Sequence, residues 1–160
     1  MWRQGAVGEE KVGRILDGLP AGQWWTFHDL PIGANGANID HLVIGVGGVF
    51  TVNTKNSSGN VWVASRAFLV NGKKTAYLPK AASEARRVAD RLACRLGHDV
   101  WVCPVLAVDA PSLTVKEQPD DVTVVSVDQL AAGLVSCPQR LTTQQAYEIV
   151  LVAHDRSTWQ

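Results

Sequence analysis

Three polar residues, Asp40, Asn53 and Lys55, fall at the open end of a hairpin that the sequence predicts over residues 38–56. Two β-branched runs flank a glycine-rich turn there, which is a hairpin signal. With the turn centred on residues 46–47, Asp40 lies opposite Asn53. Because side chains alternate along a strand, both then share one face with Lys55. A register slip of one residue would move Asp40 to the opposite face.

This combination predicts chemistry at a phosphate group. Mg²⁺ takes oxygen ligands, often one or two carboxylates, with waters and phosphate oxygens completing the shell. A neighbouring lysine can orient a water or offset charge on the phosphate. A second interpretation is structural: Asp40, Asn53 and Lys55 form a polar network, with Asp40 and Lys55 as an ion pair at the end of the sheet.

Glu9 is a further candidate on a helix predicted over residues 7–19. It precedes Leu16 by seven positions, so the two residues lie on nearly the same side of the helix. An unpaired carboxylate facing the core is costly, so Glu9 needs a metal, Lys55 or backbone donors as its partner. The alternative is a carboxylate that is favoured only by the helix dipole.

Three motifs in this order resemble the NERD (nuclease-related) domain, which is placed within the PD-(D/E)XK nuclease superfamily. They are Gly-Ala-Val-Gly-Glu at 5–9, Asn-Ile-Asp-His at 38–41 and Gly-Val-Phe-Thr-Val-Asn-Thr-Lys-Asn at 48–56. The resemblance implies an α/β, restriction-endonuclease-like fold: a mixed β-sheet with a central hairpin flanked by helices. In one respect the chain departs from the superfamily motif, because Asn53 stands where the motif has glutamate or aspartate.

The resemblance also implies a function and a set of roles. The chain would be a Mg²⁺-dependent (or Mn²⁺-dependent) nuclease with Asp40 as principal metal ligand, Glu9 as a second carboxylate and Asn53 as a neutral oxygen ligand. Lys55 would position water or offset charge at the phosphate. The implied partner is nucleic acid, with DNA preferred to RNA, and a homodimer is an arrangement known for this fold. The alternative is a degenerate module that binds nucleic acid or protein without cleaving it, since an amide brings no charge to the metal.

Length and composition set bounds on these interpretations. A chain of 160 residues is expected to form one domain, 1–160. Its 15 basic and 15 acidic residues give no net charge, which argues against strong non-specific binding to nucleic acid. Three cysteines without a Cys-x-x-Cys pair suggest reduced thiols and a cytoplasmic location. No apolar run is long enough to span a membrane.

The remaining elements position these candidates. A helix over 79–96 carries Lys80 at its amino end, an anion-friendly position, and we expect Lys80 and Arg87 to contact nucleic acid. Its polar face is predicted to hold Glu84, Arg87 and Arg91. The other predicted strands are 23–30, 61–63, 100–108 and 122–127, with a hairpin of 67–70 and 75–78. Loops are predicted at 31–37 and 109–121. Two further helices are predicted: a short one that Asp128 caps and that ends at 135, and a last one that runs from a Thr142–Gln145 capping box to 154.

Overall fold

A computed structural model describes residues 2–32 and 38–160, with side chains from Val7 onward. The predicted loop over 31–37 therefore lies outside the described residues from position 33. The helices are α1 (Trp2–Asp17), α2 (Tyr77–Leu96), α3 (Leu130–Val135) and α4 (Thr143–His154). The strands are β1 (Trp24–Pro31), β2 (Asn38–Gly45), β3 (Gly48–Asn56), β4 (Asn60–Ala64), β5 (Ala67–Val70), β6 (Lys73–Lys74), β7 (Val102–Asp109), β8 (Ser112–Val115) and β9 (Thr123–Ser126).

The main sheet has the strand order β1-β2-β3-β7-β9. Strands β1, β2 and β3 are antiparallel neighbours, whereas β7 and β9 run parallel to β3. Leu42 pairs with Thr51 and Ile44 with Val49, so the predicted hairpin and its register are confirmed. The mixed α/β sheet with a central hairpin is confirmed with them.

Helices cover both faces of this sheet because both faces of the hairpin are apolar near the turn. On one face, Val43, Phe50 and Val52 pack in a buried cluster with Val12 and Leu16 of α1. On the other, β2 and β3 residues pack against α2 and α4 in a cluster that includes Leu42, Ile44, Val49, Val88, Leu92, Ala146 and Ile149. Asn53, whose amide contacts Glu84, lies on the face covered by α2. Asp40 does not share that face as predicted: Ile39 joins Leu42 in the cluster under α2, and Asp40 lines a pocket beside α1.

A second sheet, with the order β6-β5-β4-β8, packs beside the first. Two predictions were wrong here. Residues 75–78 do not return as a hairpin strand, because the partner of β5 is the two-residue β6, and α2 begins at Tyr77. The predicted loop over 109–121 contains β8, which pairs in parallel with β4.

Local signals account for the ends of two helices. At the end of α2, Gly97 has a φ of 77° and donates its N–H to the carbonyl of Ala93 at 2.8 Å. The capping box at Thr142 and Gln145 is confirmed at the start of α4. The predicted cap at Asp128 is wrong, because Asp128 lies inside a 3-10 helix, Val127–Gln129, that precedes α3. None of the described helices is long and apolar enough to cross a membrane.

Candidate active site

Asp40 lies where the regular pairing of β2 and β3 ends. The last cross-strand partners are His41 and Val52. Beyond them the N–H of Thr54 donates to Oδ2 of Asp40 at 3.0 Å. A side-chain carboxylate thus accepts the hydrogen bond of a backbone donor, which fixes Asp40 at the end of the hairpin.

The surroundings of Asp40 disfavour its negative charge. Burial raises the pKa of Asp40, and the nearby charge of Asp29 raises it further. The Thr54 N–H and the positive charge of Lys55 act in the opposite direction without cancelling the rise. An additional cation beside this half-buried carboxylate would therefore stabilise its negative charge.

Asn53 is buried on the face of the hairpin that α2 covers, with 8% of its surface exposed. Its Nδ2 donates a hydrogen bond of 2.8 Å to Oε2 of Glu84 in α2. Because an ionised carboxylate only accepts hydrogen bonds, this contact orients the amide with its nitrogen toward Glu84. None of the described residues donates a hydrogen bond to the amide oxygen, which is therefore available as a neutral ligand.

Lys55 lies half-buried two residues along β3 from Asn53. Its Nζ is 4.2 Å from the centroid of the Tyr77 ring, in a cation–π contact with the first residue of α2. Within the described part of the chain, Lys55 forms no salt bridge with Asp40. This geometry does not support the structural interpretation that paired these two residues directly.

Glu9 lies in α1 at the rim of an open pocket of about 420 Å³, which Asp40, His41 and Asp29 also line. Its side chain is exposed and does not reach the core as Leu16 does. Partial burial raises the pKa of Glu9, the charges of Asp40 and Asp29 raise it further, and Lys55 lowers it. Glu9 and Asp40 are therefore close enough to influence each other's charge.

The Nuclease-related domain (NERD) family model matches residues 4–108 of the chain. That range contains most of α1, strands β1 to β6, all of α2 and most of β7. The chain belongs to the NERD family. The family is part of the PD-(D/E)XK-like nuclease superfamily, and the mixed α/β fold is consistent with a restriction-endonuclease-like architecture. No curated protein and no solved structure matches the chain.

The donor atoms in this NERD domain suit a hard divalent cation. Asp40 offers a carboxylate with one oxygen engaged by Thr54, and Asn53 offers an amide oxygen. Oxygen donors of this kind are those that Mg²⁺ and Mn²⁺ prefer. Among residues 7–32 and 38–160, no three carboxylate, imidazole or thiol side chains form a cluster that could hold a metal ion alone. Waters and substrate phosphate oxygens would have to complete the coordination shell.

The two residues expected to contact nucleic acid lie on α2, on exposed positions. Lys80 is in the first turn of α2. Arg87 donates a hydrogen bond from its guanidinium to the carbonyl of Ile32 at 3.2 Å, so this side chain holds the end of the described segment before residue 33. Lys80 is thus the freer of the two to reach a phosphate.

Sequence reasoning missed two features of the site. Glu84 was placed on the polar face of its helix, but it is half-buried and hydrogen-bonded to Asn53. Its position three residues after Ala81 and four before Val88, both buried, is the signal that could have found it.

The second missed feature is a hydrogen-bonded chain of three side chains beside Asp40. Nδ1 of His41 lies 2.8 Å from Nδ1 of His28, and Nε2 of His28 lies 2.8 Å from Oδ1 of Asp17. His41 is only 3% exposed. Burial, followed by the neighbouring His28, lowers the pKa of His41 to about 4, so its imidazole is neutral at pH 7.

Proposed function

We propose that this NERD domain is a metal-dependent nuclease that hydrolyses phosphodiester bonds in nucleic acid, with Mg²⁺ or Mn²⁺ as its cofactor. The observation that carries the proposal is the position of Asp40, held at the end of the hairpin by the Thr54 N–H and close enough to Lys55 and Glu9 for their charges to interact. Membership of the nuclease-related family supports the same class of reaction.

Each residue would contribute through groups already in place. Asp40 would hold the cation through its carboxylate, and Asn53 would add its amide oxygen. Glu9, at the rim of the pocket, would act on the same ion directly or through a water. When bound, such a cation lowers the pKa of a water and stabilises charge on the scissile phosphate.

Lys55 would act on the phosphate and not on the metal. Its ammonium is held over the Tyr77 ring and so keeps its charge near Asp40 without forming a salt bridge with it. From there it can orient the attacking water or offset negative charge as the bond to the leaving oxygen breaks. The hydroxyl of the water joins phosphorus, its proton passes to solvent or a neighbouring base, and the sugar oxygen leaves.

A few basic side chains would contact the substrate, because the chain has no net positive charge that would attract nucleic acid in general. Lys80, exposed in the first turn of α2, is the proposed phosphate contact, and Arg87 would contribute after releasing Ile32. We propose DNA before RNA as the substrate. We also propose a homodimer that acts on two strands. A cytoplasmic location belongs to the same proposal, because it would keep the three free cysteines reduced.

A second candidate is a binding module that has lost catalysis. The observation that favours it is Asn53, a neutral amide at the position where the superfamily motif has a carboxylate. Loss of a charged ligand weakens the hold on a divalent cation. Such a module would bind nucleic acid with or without metal.

A cleavage assay on plasmid, single-stranded DNA and RNA, with Mg²⁺, Mn²⁺ or EDTA, separates the two candidates. The nuclease proposal expects native cleavage that EDTA abolishes. The binding module expects no native cleavage, unimpaired binding in a gel-shift assay, and cleavage that appears in Asn53→Glu. If neither the native chain nor Asn53→Glu cleaves or binds any of the three substrates, both candidates are wrong.

A further inference from the structure

We infer that Asp29, near the end of β1, is a further carboxylate of the cation site and acts on a hydrated divalent cation through one of its waters. The inference rests on the metal site of the proposed function. The place is the pocket of about 420 Å³ beside α1 that Glu9 and Asp40 also line. Asp29 would supply there a negative charge that Asn53, as an amide, does not bring.

The pairing of β1 with β2 puts Asp29 opposite Asp40. The cross-strand pairs on either side of these two residues are His28 with His41 and Leu30 with Ile39. Asp29 has a φ of 51°, in the left-handed region that aspartate and asparagine tolerate better than most residues. Nδ2 of Asn38 donates to Oδ1 of Asp29 at 2.9 Å, and no described residue donates to Oδ2. Two carboxylates thus enter one pocket from neighbouring strands, and Asp29 has an oxygen to spare.

The charge of Asp29 acts on both carboxylates proposed to bind the metal. Burial is the largest cause of the raised pKa of Asp40, and the charge of Asp29 adds to it. The pKa of Glu9 is raised by burial, then by the charge of Asp40 and then by that of Asp29. A bound divalent cation is the largest local charge in its site, and it would turn this repulsion into attraction.

The pocket as a whole is acidic, although the chain has no net charge. Arg14 is the only lysine or arginine among the described residues that line it. The acidic lining residues are Glu9, Glu10, Asp17, Asp29 and Asp40. A surplus of this kind attracts cations and repels a bare phosphate group. Nucleic acid would therefore reach this pocket only with a cation between its phosphate and the carboxylates.

A buried imidazole of the same pocket gives independent evidence of a ligand. His41 is 3% exposed, and its Nε2 is buried without a hydrogen-bond partner among the described residues. Because the Asp17 carboxylate only accepts, Nε2 of His28 donates to it. With both rings neutral, Nδ1 of His28 accepts from Nδ1 of His41, which leaves a lone pair on Nε2 of His41. Buried polar atoms rarely lack a partner, and a water of the cation's hydration shell is a donor for this lone pair.

The room in the pocket and the spacing of its acids favour a hydrated ion. Among the described residues, no three carboxylate, imidazole or thiol groups are placed to hold a bare metal ion. Mg²⁺ has octahedral coordination and gives up its waters reluctantly. Six waters occupy roughly 180 Å³, at about 30 Å³ each, so such an ion fits in this pocket. We therefore assign Asp29 a contact with a metal-bound water and leave direct ligation to Asp40.

The test is Mn²⁺ binding, measured by electron paramagnetic resonance and calorimetry on the full chain with no nucleic acid present. Asp29→Asn tolerates the left-handed φ and keeps an oxygen for Asn38, so it removes only the charge. It should weaken Mn²⁺ binding by about tenfold or more, as loss of an outer-shell partner does. Glu10→Gln removes an exposed charge from the same pocket and should weaken binding less. Asp128→Asn, an exposed site outside the pocket, is the control and should leave the affinity unchanged.

Three outcomes would overturn the inference. The first is native Mn²⁺ affinity in Asp29→Asn. The second is an equal loss in Glu10→Gln, which would mean that only the general charge of the pocket matters. The third is absence of Mn²⁺ binding to the native chain at millimolar concentrations.

Cleavage is a separate readout that distinguishes this inference from the nuclease proposal. Mn²⁺ binding that depends on Asp29, in a chain that cuts no nucleic acid, would support the inference and reject the nuclease proposal. Metal-dependent cleavage by the native chain, together with native Mn²⁺ affinity in Asp29→Asn, would reject the inference alone.

Discussion

The backbone N–H of Thr54 donates a hydrogen bond of 3.0 Å to the Asp40 carboxylate, at the point where the β2–β3 ladder ends. This bond ties an acidic side chain to the strand that carries Asn53 and Lys55. Burial nevertheless keeps the pKa of Asp40 raised, so the folded chain holds an unfavourable charge at neutral pH. A carboxylate that destabilises the fold is expected where a cation is to be bound.

Asp40→Asn should therefore stabilise the metal-free chain at pH 7. The folded pKa of Asp40 is raised above its unfolded value, so the carboxylate binds protons more readily when folded and destabilises the fold above that pKa. Asparagine removes the charge and can still accept from Thr54. Thermal unfolding without divalent ions should show a higher Tm for Asp40→Asn than for the native chain. Asp128→Asn, an exposed site, should leave Tm unchanged, and a lower Tm for Asp40→Asn would refute the argument.

The buried His41 should also make the free energy of unfolding depend on pH, in the direction opposite to the effect of Asp40. Its pKa is lowered to about 4 by burial and by His28, while Asp17 and Asp29 act against the lowering. Between pH 6.5 and pH 4 the unfolded chain binds the proton and the folded chain does not, so stability falls as the pH falls. The loss amounts to on the order of 3 kcal/mol. Urea unfolding at several pH values gives the free energy of unfolding, which should change less with pH across this window in His41→Gln than in the native chain. An unchanged pH dependence would count against a neutral, buried His41.

Lys55→Met should separate binding from chemistry. Lys55 lies near the proposed metal ligand Asp40 but contacts Tyr77, so its loss should remove one repulsive charge and should not weaken Mn²⁺ binding. Cleavage should fall by about 10²-fold or more, as when one preorganised electrostatic group is removed. Lys74→Met, an exposed residue of β6, is the control for a lost positive charge. Equal losses in Mn²⁺ affinity and in cleavage rate would place Lys55 in a structural role.

Two glycine substitutions test the packing that supports the site. A Cβ at Gly45 would lie 2.3 Å from the Trp24 ring, which packs against Phe50 at 6.1 Å between centroids. Gly45→Ala should lower the free energy of unfolding by about 1–3 kcal/mol. Gly133→Ala in α3, where nothing lies within 4 Å of the new Cβ, should raise it by about 0.5–1 kcal/mol. Chemical denaturation of both variants checks the contrast, and a harmless Gly45→Ala would contradict the close packing on Trp24.

The hairpin could be predicted because local signals specify it. Glycines at the turn and alternating apolar residues leave one register that buries Leu42 and Val49, and the observed pairing agrees. The long α2 was predictable from its apolar stripe, and its start differed by two residues. Short strands β6 and β8 were not predictable, because two to four residues carry little pattern and β8 finds its partner β4 about fifty residues away.

Contacts between elements were the least accessible part of the site. The His28–His41 contact depends on how β1 pairs with β2, and no local turn signal sets that register across the loop that joins them. Glu84 contacts Asn53 because of where α2 packs along β3, and a helical sequence pattern does not specify that position. Asp40 and Asn53 stay predicted metal ligands, and the sequence could suggest them because both lie near the open end of one hairpin.

The most direct test of the nuclease proposal is Mg²⁺-dependent cleavage of DNA by the native chain and by Asp40→Asn, purified in parallel. Asp40→Asn keeps the acceptor for Thr54 and loses only the charge, so its fold is preserved while its hold on the cation is lost. We expect native cleavage that rises with Mg²⁺ and stops with EDTA, and a rate at least about 10²-fold lower in Asp40→Asn. Equal cleavage by both proteins, or none by the native chain at any Mg²⁺ or Mn²⁺ concentration, would contradict a nuclease centred on Asp40.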